Sequence, residues 1–130
     1  MAEDKKLVFP AELRYHKEHT WAKVEGNQAR VGISDFAQDQ LGDIIYIELP
    51  QVGQVFLQGK EFGTAESAKS VSALHMPVSG KIVAVNSAAE DEPGIVNQDP
   101  YGAGWMVLIE PENLEDVNGL LTSEQYCGQL

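Results

Sequence analysis

The side chain that stands out chemically is Lys69, in Gly63-Thr-Ala-Glu-Ser-Ala-Lys-Ser-Val-Ser-Ala-Leu-His75. Glu66-Ser67-Ala68-Lys69-Ser70 joins two apolar runs through compact residues that suit a tight turn and shield nothing. A lysine at such a tip leaves its amine free in water, as an external enzyme acting on that amine requires. On local sequence alone the plainer reading is a solubilising turn lysine. Other candidate chemistry is thin. His16 and His19 are three apart in a segment without helical pattern, a poor spacing for metal, so structural or solvent-facing roles fit them better. His75 reads as an ordinary strand residue. Cys127 has no second cysteine to pair with and no context for a nucleophile. Trp21 and Trp105 fall in alternating runs and read as core packing. No G-x-S-x-G, glycine-rich phosphate loop, C-x-x-C or H-E-x-x-H is present. These residues do not describe a self-sufficient catalyst.

The elements that must hold Lys69 are mostly strands. Thr20–Val24 and Ala29–Ile33 predict a hairpin through Glu25-Gly26-Asn27. Residues 34–41 predict a short helix, with Ser34 or Asp35 as cap and Gly42 as the stop. Strands follow at Asp43–Leu49, Val55–Leu57, Glu61–Ala65, Val71–Leu74, Gly80–Val85 and Trp105–Ile109. Many short strands at close spacing imply a β-sandwich or barrel. A faint echo between Val52-Gly-Gln-Val55 and Val78-Ser-Gly-Lys-Ile-Val83 brackets Lys69 and places it near a pseudo-symmetric tip. Asn86–Gly104, rich in Pro, Gly, Asn and Asp, reads as a long surface loop. Leu114, Val117 and Leu121 fall at helical spacing, and Thr122 opens a second short C-terminal helix.

The 130 residues fit one domain, 1–130, and 43% apolar content suits a packed core. Twenty acidic against nine basic residues give a formal net charge of −11, which argues against nucleic acid or an anionic membrane as partner. No apolar run approaches the length of a membrane span. Met1–Phe9 mixes acids with lysines and fits neither a secretory signal nor a transit peptide. A cytoplasmic, bacterial-type monomer is the expectation, with a mature organelle form as the other option.

Six blocks then fall in order: Lys-Glu-His-Thr-Trp (17–21), Val-Gly-Ile-Ser-Asp-Phe-Ala-Gln (31–38), Leu-Gly-Asp-Ile-Ile-Tyr-Ile-Glu-Leu-Pro (41–50), Phe-Gly-Thr-Ala-Glu-Ser-Ala-Lys (62–69), Pro-Val-Ser-Gly (77–80) and Val-Asn-Gln-Asp-Pro-Tyr-Gly-Ala-Gly-Trp (96–105). Together they resemble the H-protein family of the glycine cleavage system over about residues 13–128. The resemblance implies a mainly β, lipoyl-domain-like β-sandwich, the barrel-sandwich hybrid, with lipoate joined to Lys69 by an amide bond. Glu66 and Ser67 match the family's lipoylation signature around that lysine. The implied role is a carrier, not an enzyme: it takes the aminomethyl group of glycine from a pyridoxal-phosphate glycine decarboxylase to an aminomethyltransferase. A dihydrolipoyl dehydrogenase reoxidises the arm, and a lipoate ligase or a lipoyl/octanoyl transferase installs it.

The family is thought to fold the loaded arm against the protein surface, and the resemblance points to His19, Thr20 and Phe36 as residues of that arm cleft. Here the sequence departs from the family's habit. Thr20 stands where a glutamate is common, Phe36 where His or Tyr is, Ala68 where Val is and Ser70 where Ala is. An H-like carrier for lipoate relay or sulfur oxidation therefore stays open, and an unmodified adaptor β-domain is a remoter alternative.

Overall fold

In the computed structural model, which describes residues 7–130, the first structure set by the sequence is a hairpin. Strands β2 (Thr20–Glu25) and β3 (Gln28–Ile33) pair from Thr20↔Ile33 to Glu25↔Gln28. Only Gly26 and Asn27 are left to turn the chain, and Gly26 takes φ +66°, the positive value such a loop demands of its first residue. Next comes α1 (Asp35–Leu41), capped by the Ser34 side chain and stopped at Gly42. The remaining strands are β1 (Arg14–Tyr15), β4 (Ile44–Glu48), β5 (Val55–Phe56), β6 (Glu61–Ser67), β7 (Val71–His75), β8 (Gly80–Val85) and β9 (Val107–Pro111).

These strands build two antiparallel sheets. One runs β1-β2-β3-β9-β8-β5 and the other β4-β6-β7. Their facing sides share one core: Val31, Ile33, Ile82, Val107 and Ile109 from the larger sheet meet Ile44, Ile47, Phe62, Ala65 and Leu74 from the smaller. Each of the larger of these side chains, fully buried, contributes about 1.5–3 kcal/mol. The expected sandwich is therefore what forms, as two open sheets rather than a closed barrel. The two halves of the sequence echo meet directly, since β5 pairs with β8. A second cluster of Leu13, Tyr15, Trp21 and Tyr126 packs at one end, with Phe9, Tyr101, Trp105 and Leu121 against it.

Three expectations need correction. Asn86–Gly104 is not a plain loop: it holds α2 (Ser87–Asp91) and α3 (Gly94–Gln98), which bury Ala89 and Val96 in the core. The last strand begins at Val107, because the Trp105 amide bonds back to the Gly102 carbonyl and its own carbonyl is taken by Asn86. Trp105 is accordingly half-buried rather than a core residue, and lies under Arg30, whose guanidinium carbon is 4.5 Å from the ring centroid. The helical spacing after Pro111 becomes a 3₁₀ turn, Leu114–Gly119, that buries only Val117. Thr122 then caps α4 (Ser123–Cys127) with a full capping box. Residues 1–6, the larger part of the N-terminal stretch weighed as a targeting signal, lie outside the described residues. No helix of the described chain is long and apolar enough to cross a membrane.

Candidate functional site

Lys69 occupies the tip of the β6–β7 hairpin, exposed, with Ala68 beside it. Two-residue hairpin loops usually need positive φ, yet neither Ala68 nor Lys69 has it. Ser67 supplies the missing closure. Its backbone N–H donates to the Ser70 carbonyl at 2.8 Å, and its Oγ accepts from the amides of Lys69 and Ser70 at 3.3 Å each. Ser67 is itself buried, so it shapes the tip rather than standing on its surface. Glu66 points the other way, half-exposed, in register between Tyr46 on β4 and Val71 on β7.

The Lys69 stem does not stand straight out into solvent. A Cβ placed on Gly42 would lie 3.5 Å from Lys69 Cε and 3.9 Å from Nζ, so the chain lies over the C-terminal end of α1. That end carries the partial negative charge of unpaired carbonyls, which favours a cation. Gly42 takes φ +80° and ψ −159°, a combination essentially reserved for glycine. The loop is pinned from below by Asn97 of α3. Its Nδ2 donates to the Gly42 carbonyl (2.8 Å) and to Gln38 Oε1 (2.9 Å), and its Oδ1 accepts from the Ile44 amide (2.9 Å).

From this platform a cleft of about 310 Å³ runs between α1 and β7. Ile33, Phe36, Ala37, Leu41 and Leu74 give it apolar walls, and Glu18, His19, Gln40, Ser70 and Ser72 add polar groups. Lys69 lies at the Gly42 end of α1. His19 lies at the opposite end, its ring centroid 5.1 Å from that of Phe36. The seven residues of α1 separate the two by roughly 10 Å.

His19 is held with unusual firmness. It is the one non-glycine residue among those described with positive φ, at 77°, a conformation that costs about 1–3 kcal/mol. Its amide bonds the His16 carbonyl, and its carbonyl accepts from the Ser34 amide, each at 2.9 Å. The Tyr126 hydroxyl, from α4, lies 2.6 Å from His19 Nδ1 and 2.7 Å from Ser34 Oγ. Burial pushes the His19 imidazole below the usual histidine range, with the neighbouring Glu18 carboxylate opposing, and pushes the Tyr126 phenol up to about 12. His16 is buried, its Nδ1 accepting from the Glu18 amide at 3.0 Å. No cluster of three potential metal ligands occurs among the described residues.

Of the residues proposed from sequence for the cleft, His19 and Phe36 line it, but Thr20 does not. Thr20 is buried, and its hydroxyl donates to the His75 carbonyl at 2.9 Å, stitching β2 to the end of β7. The strand that begins at Thr20 turns that side chain inward, and the carboxylate on the cleft rim is instead Glu18. Sequence reasoning also missed Asn97 and Tyr126. Asn97 stood in a stretch read as loop, and Tyr126 meets its partner 107 residues away.

Comparison with known proteins bears on the whole chain. The family model described as glycine cleavage H-protein matches residues 13–130. A glycine cleavage system H protein of Anoxybacillus flavithermus is 54% identical over 120 residues, 92% of this chain and 94% of that protein. Its counterpart in Myxococcus xanthus is 48% identical over 122 residues, 94% of this chain and 95% of that protein. The crystal structure of a glycine cleavage system H protein from Mycobacterium marinum superposes with a TM-score of 0.85 at 40% identity, covering 92% of this chain and 97% of that one. With a matching sandwich and about half of the residues shared with relatives over nearly the full length, the chain belongs to the glycine cleavage H-protein family, the non-catalytic carriers of covalently bound lipoate in the glycine cleavage system.

Proposed function

We propose that Lys69 is the residue that bears the lipoyl arm, and that the cleft along α1 is where the arm rests between visits to its enzymes. The observation that carries this reading is the placement of Lys69: an exposed lysine on a fixed two-residue tip, its stem over Gly42, with the chain neighbours Leu41 and Ser70 lining the cleft. The donor set suits the group, since an apolar wall with polar residues at the far end matches an alkyl chain with a functional terminus. When attached, the lipoyl group supplies a disulfide that opens to accept a one-carbon amine and later recloses. The protein presents the tip without deforming, and the tether raises the local concentration at a docked enzyme to the order of mM.

Glycine decarboxylase, the aminomethyltransferase and dihydrolipoyl dehydrogenase are the partners this reading names for the arm, and a lipoate ligase or lipoyl/octanoyl transferase is the one for the bare lysine. Exposed Ile45, Tyr46 and Val71 beside the tip offer these enzymes an apolar contact surface around Glu66. Intact-mass analysis after expression with lipoate is expected to give a single lipoyl increment that Lys69→Ala abolishes. An increment that survives Lys69→Ala overturns the assignment of the site. Glycine–bicarbonate exchange with the decarboxylase then separates the glycine cleavage role from an H-like relay role: lipoylated protein that supports no exchange belongs to the latter.

A further inference from the structure

The hydrogen bonds around Tyr126 fix more than the position of His19. Ser34 is fully buried, and its Oγ already accepts from the Ala37 amide at 3.1 Å as the cap of α1. The hydrogen on that hydroxyl therefore needs an acceptor, and the one within reach among the described residues is the Tyr126 oxygen at 2.7 Å. The Tyr126 hydrogen must then go to His19 Nδ1 at 2.6 Å. Reversing the chain, with Nδ1–H donating to Tyr126 and Tyr126 to Ser34, strands the Ser34 hydrogen in the interior, where an unpaired donor is costly. A neutral imidazole whose Nδ1 accepts carries its proton on Nε2. The burial that keeps His19 neutral and Tyr126 protonated is consistent with the same state.

We propose that His19 presents a fixed Nε2–H donor at the end of the cleft remote from Lys69, where it takes the sulfur end of the arm, and that Tyr126 is the positioning residue that sets this tautomer. The contact with the arm rests on the resting-cleft reading given above; the tautomer does not. A donor serves an acceptor, so His19 binds sulfur, most strongly as a thiolate. It cannot pair an ammonium. On the same rim only Glu18 carries the charge for that.

The test is nitrogen NMR of the histidine rings in the full chain with unmodified Lys69. The expected result is His19 as the Nε2–H tautomer, with Tyr126→Phe lowering the ratio of Nε2–H to Nδ1–H by about fivefold, the loss of one ordinary hydrogen bond. Phenylalanine keeps the ring that stacks 4.8 Å from Tyr15, so the fold is retained, and the wild-type measurement needs no variant at all. Octanoyl-Lys69 and dihydrolipoyl-Lys69 forms then locate the acceptor, because the first has the amide and chain without sulfur. A shift of the His19 Nε2 resonance confined to the dihydrolipoyl form supports the sulfur contact. An Nδ1–H tautomer in the wild type, or a ratio unchanged in Tyr126→Phe, overturns the role of Tyr126. Equal shifts with both arms overturn the sulfur contact. If neither arm moves the resonances of Ile33, Ala37 or Leu41, the resting cleft itself fails and the contact fails with it.

Discussion

At the tip of the β6–β7 hairpin, a single buried hydroxyl shapes the turn that holds Lys69. Ser67 Oγ takes the two amides that a turn without positive φ leaves unpaired. Ser67→Ala is expected to lower stability by about 1 kcal/mol in denaturant unfolding and to slow lipoylation of Lys69, while Ser67→Thr keeps both near wild type. A modification rate unaffected by Ser67→Ala means that the backbone bond from Ser67 to Ser70 suffices to shape the tip. The place of Lys69 was legible in the sequence because small residues between two apolar runs encode a turn directly. Thr20 was not, because alternation along a strand says which residues share a face and not which face a neighbouring segment covers. The β1–β2 turn with its left-handed His19 lifts Glu18 to the cleft and leaves Thr20 beneath.

The element that matters most to the site is α1, together with the short helix that holds its end in place. Asn97 satisfies the Gly42 carbonyl, the Ile44 amide and Gln38 at once, so three segments depend on one side chain. Asn97→Ala leaves two part-buried acceptors, the Gly42 carbonyl and Gln38 Oε1, and one donor, the Ile44 amide, without this partner and is expected to cost about 2 kcal/mol of unfolding free energy. Amide exchange should rise first at Ile44; uniform protection there would mean that water replaces the side chain. The cap at Ser34 and the stop at Gly42 could be read from local chemistry alone. The helix that carries Asn97 could not. Five residues between Pro93 and Asp99 have no periodicity to detect, and the helix forms because burying Val96 in the core outweighs a sequence that locally favours turns.

For the molecule as a whole, strand spacing left a sandwich or a barrel open and the family resemblance chose the sandwich, while most strands lie within a residue or two of their expected bounds. The two-residue β1 left no pattern to detect. The turn between β1 and β2 holds two histidines, His16 and His19, both pushed below the ordinary value of 6.5 chiefly by burial. The unfolded chain takes up protons near 6.5, and the native state refuses them until lower pH. Their contribution to stability is thus complete above about pH 6.5 and shrinks as pH falls from there towards the native values. Thermal midpoints are expected to drop between about pH 7.5 and about pH 5.5, and the drop should lessen in His16→Asn. Equal midpoints across that window would show that both rings are as free to protonate in the fold as outside it.

The bond between Tyr126 and His19 also has a consequence in time. Chains emerge from the ribosome N-terminal end first and fold as they emerge. The hairpin bearing Lys69 belongs to a sheet whose strands end at His75, whereas α4 begins at Ser123. That sheet shares its core with β8 and β9, so the tip on which Lys69 sits has its full support once β9 is made, while His19 still lacks the hydroxyl that orients it until α4 follows. On the proposed role of Lys69, attachment of the arm becomes feasible before its proposed berth is finished, and the last helix to be synthesised is the one that completes that berth.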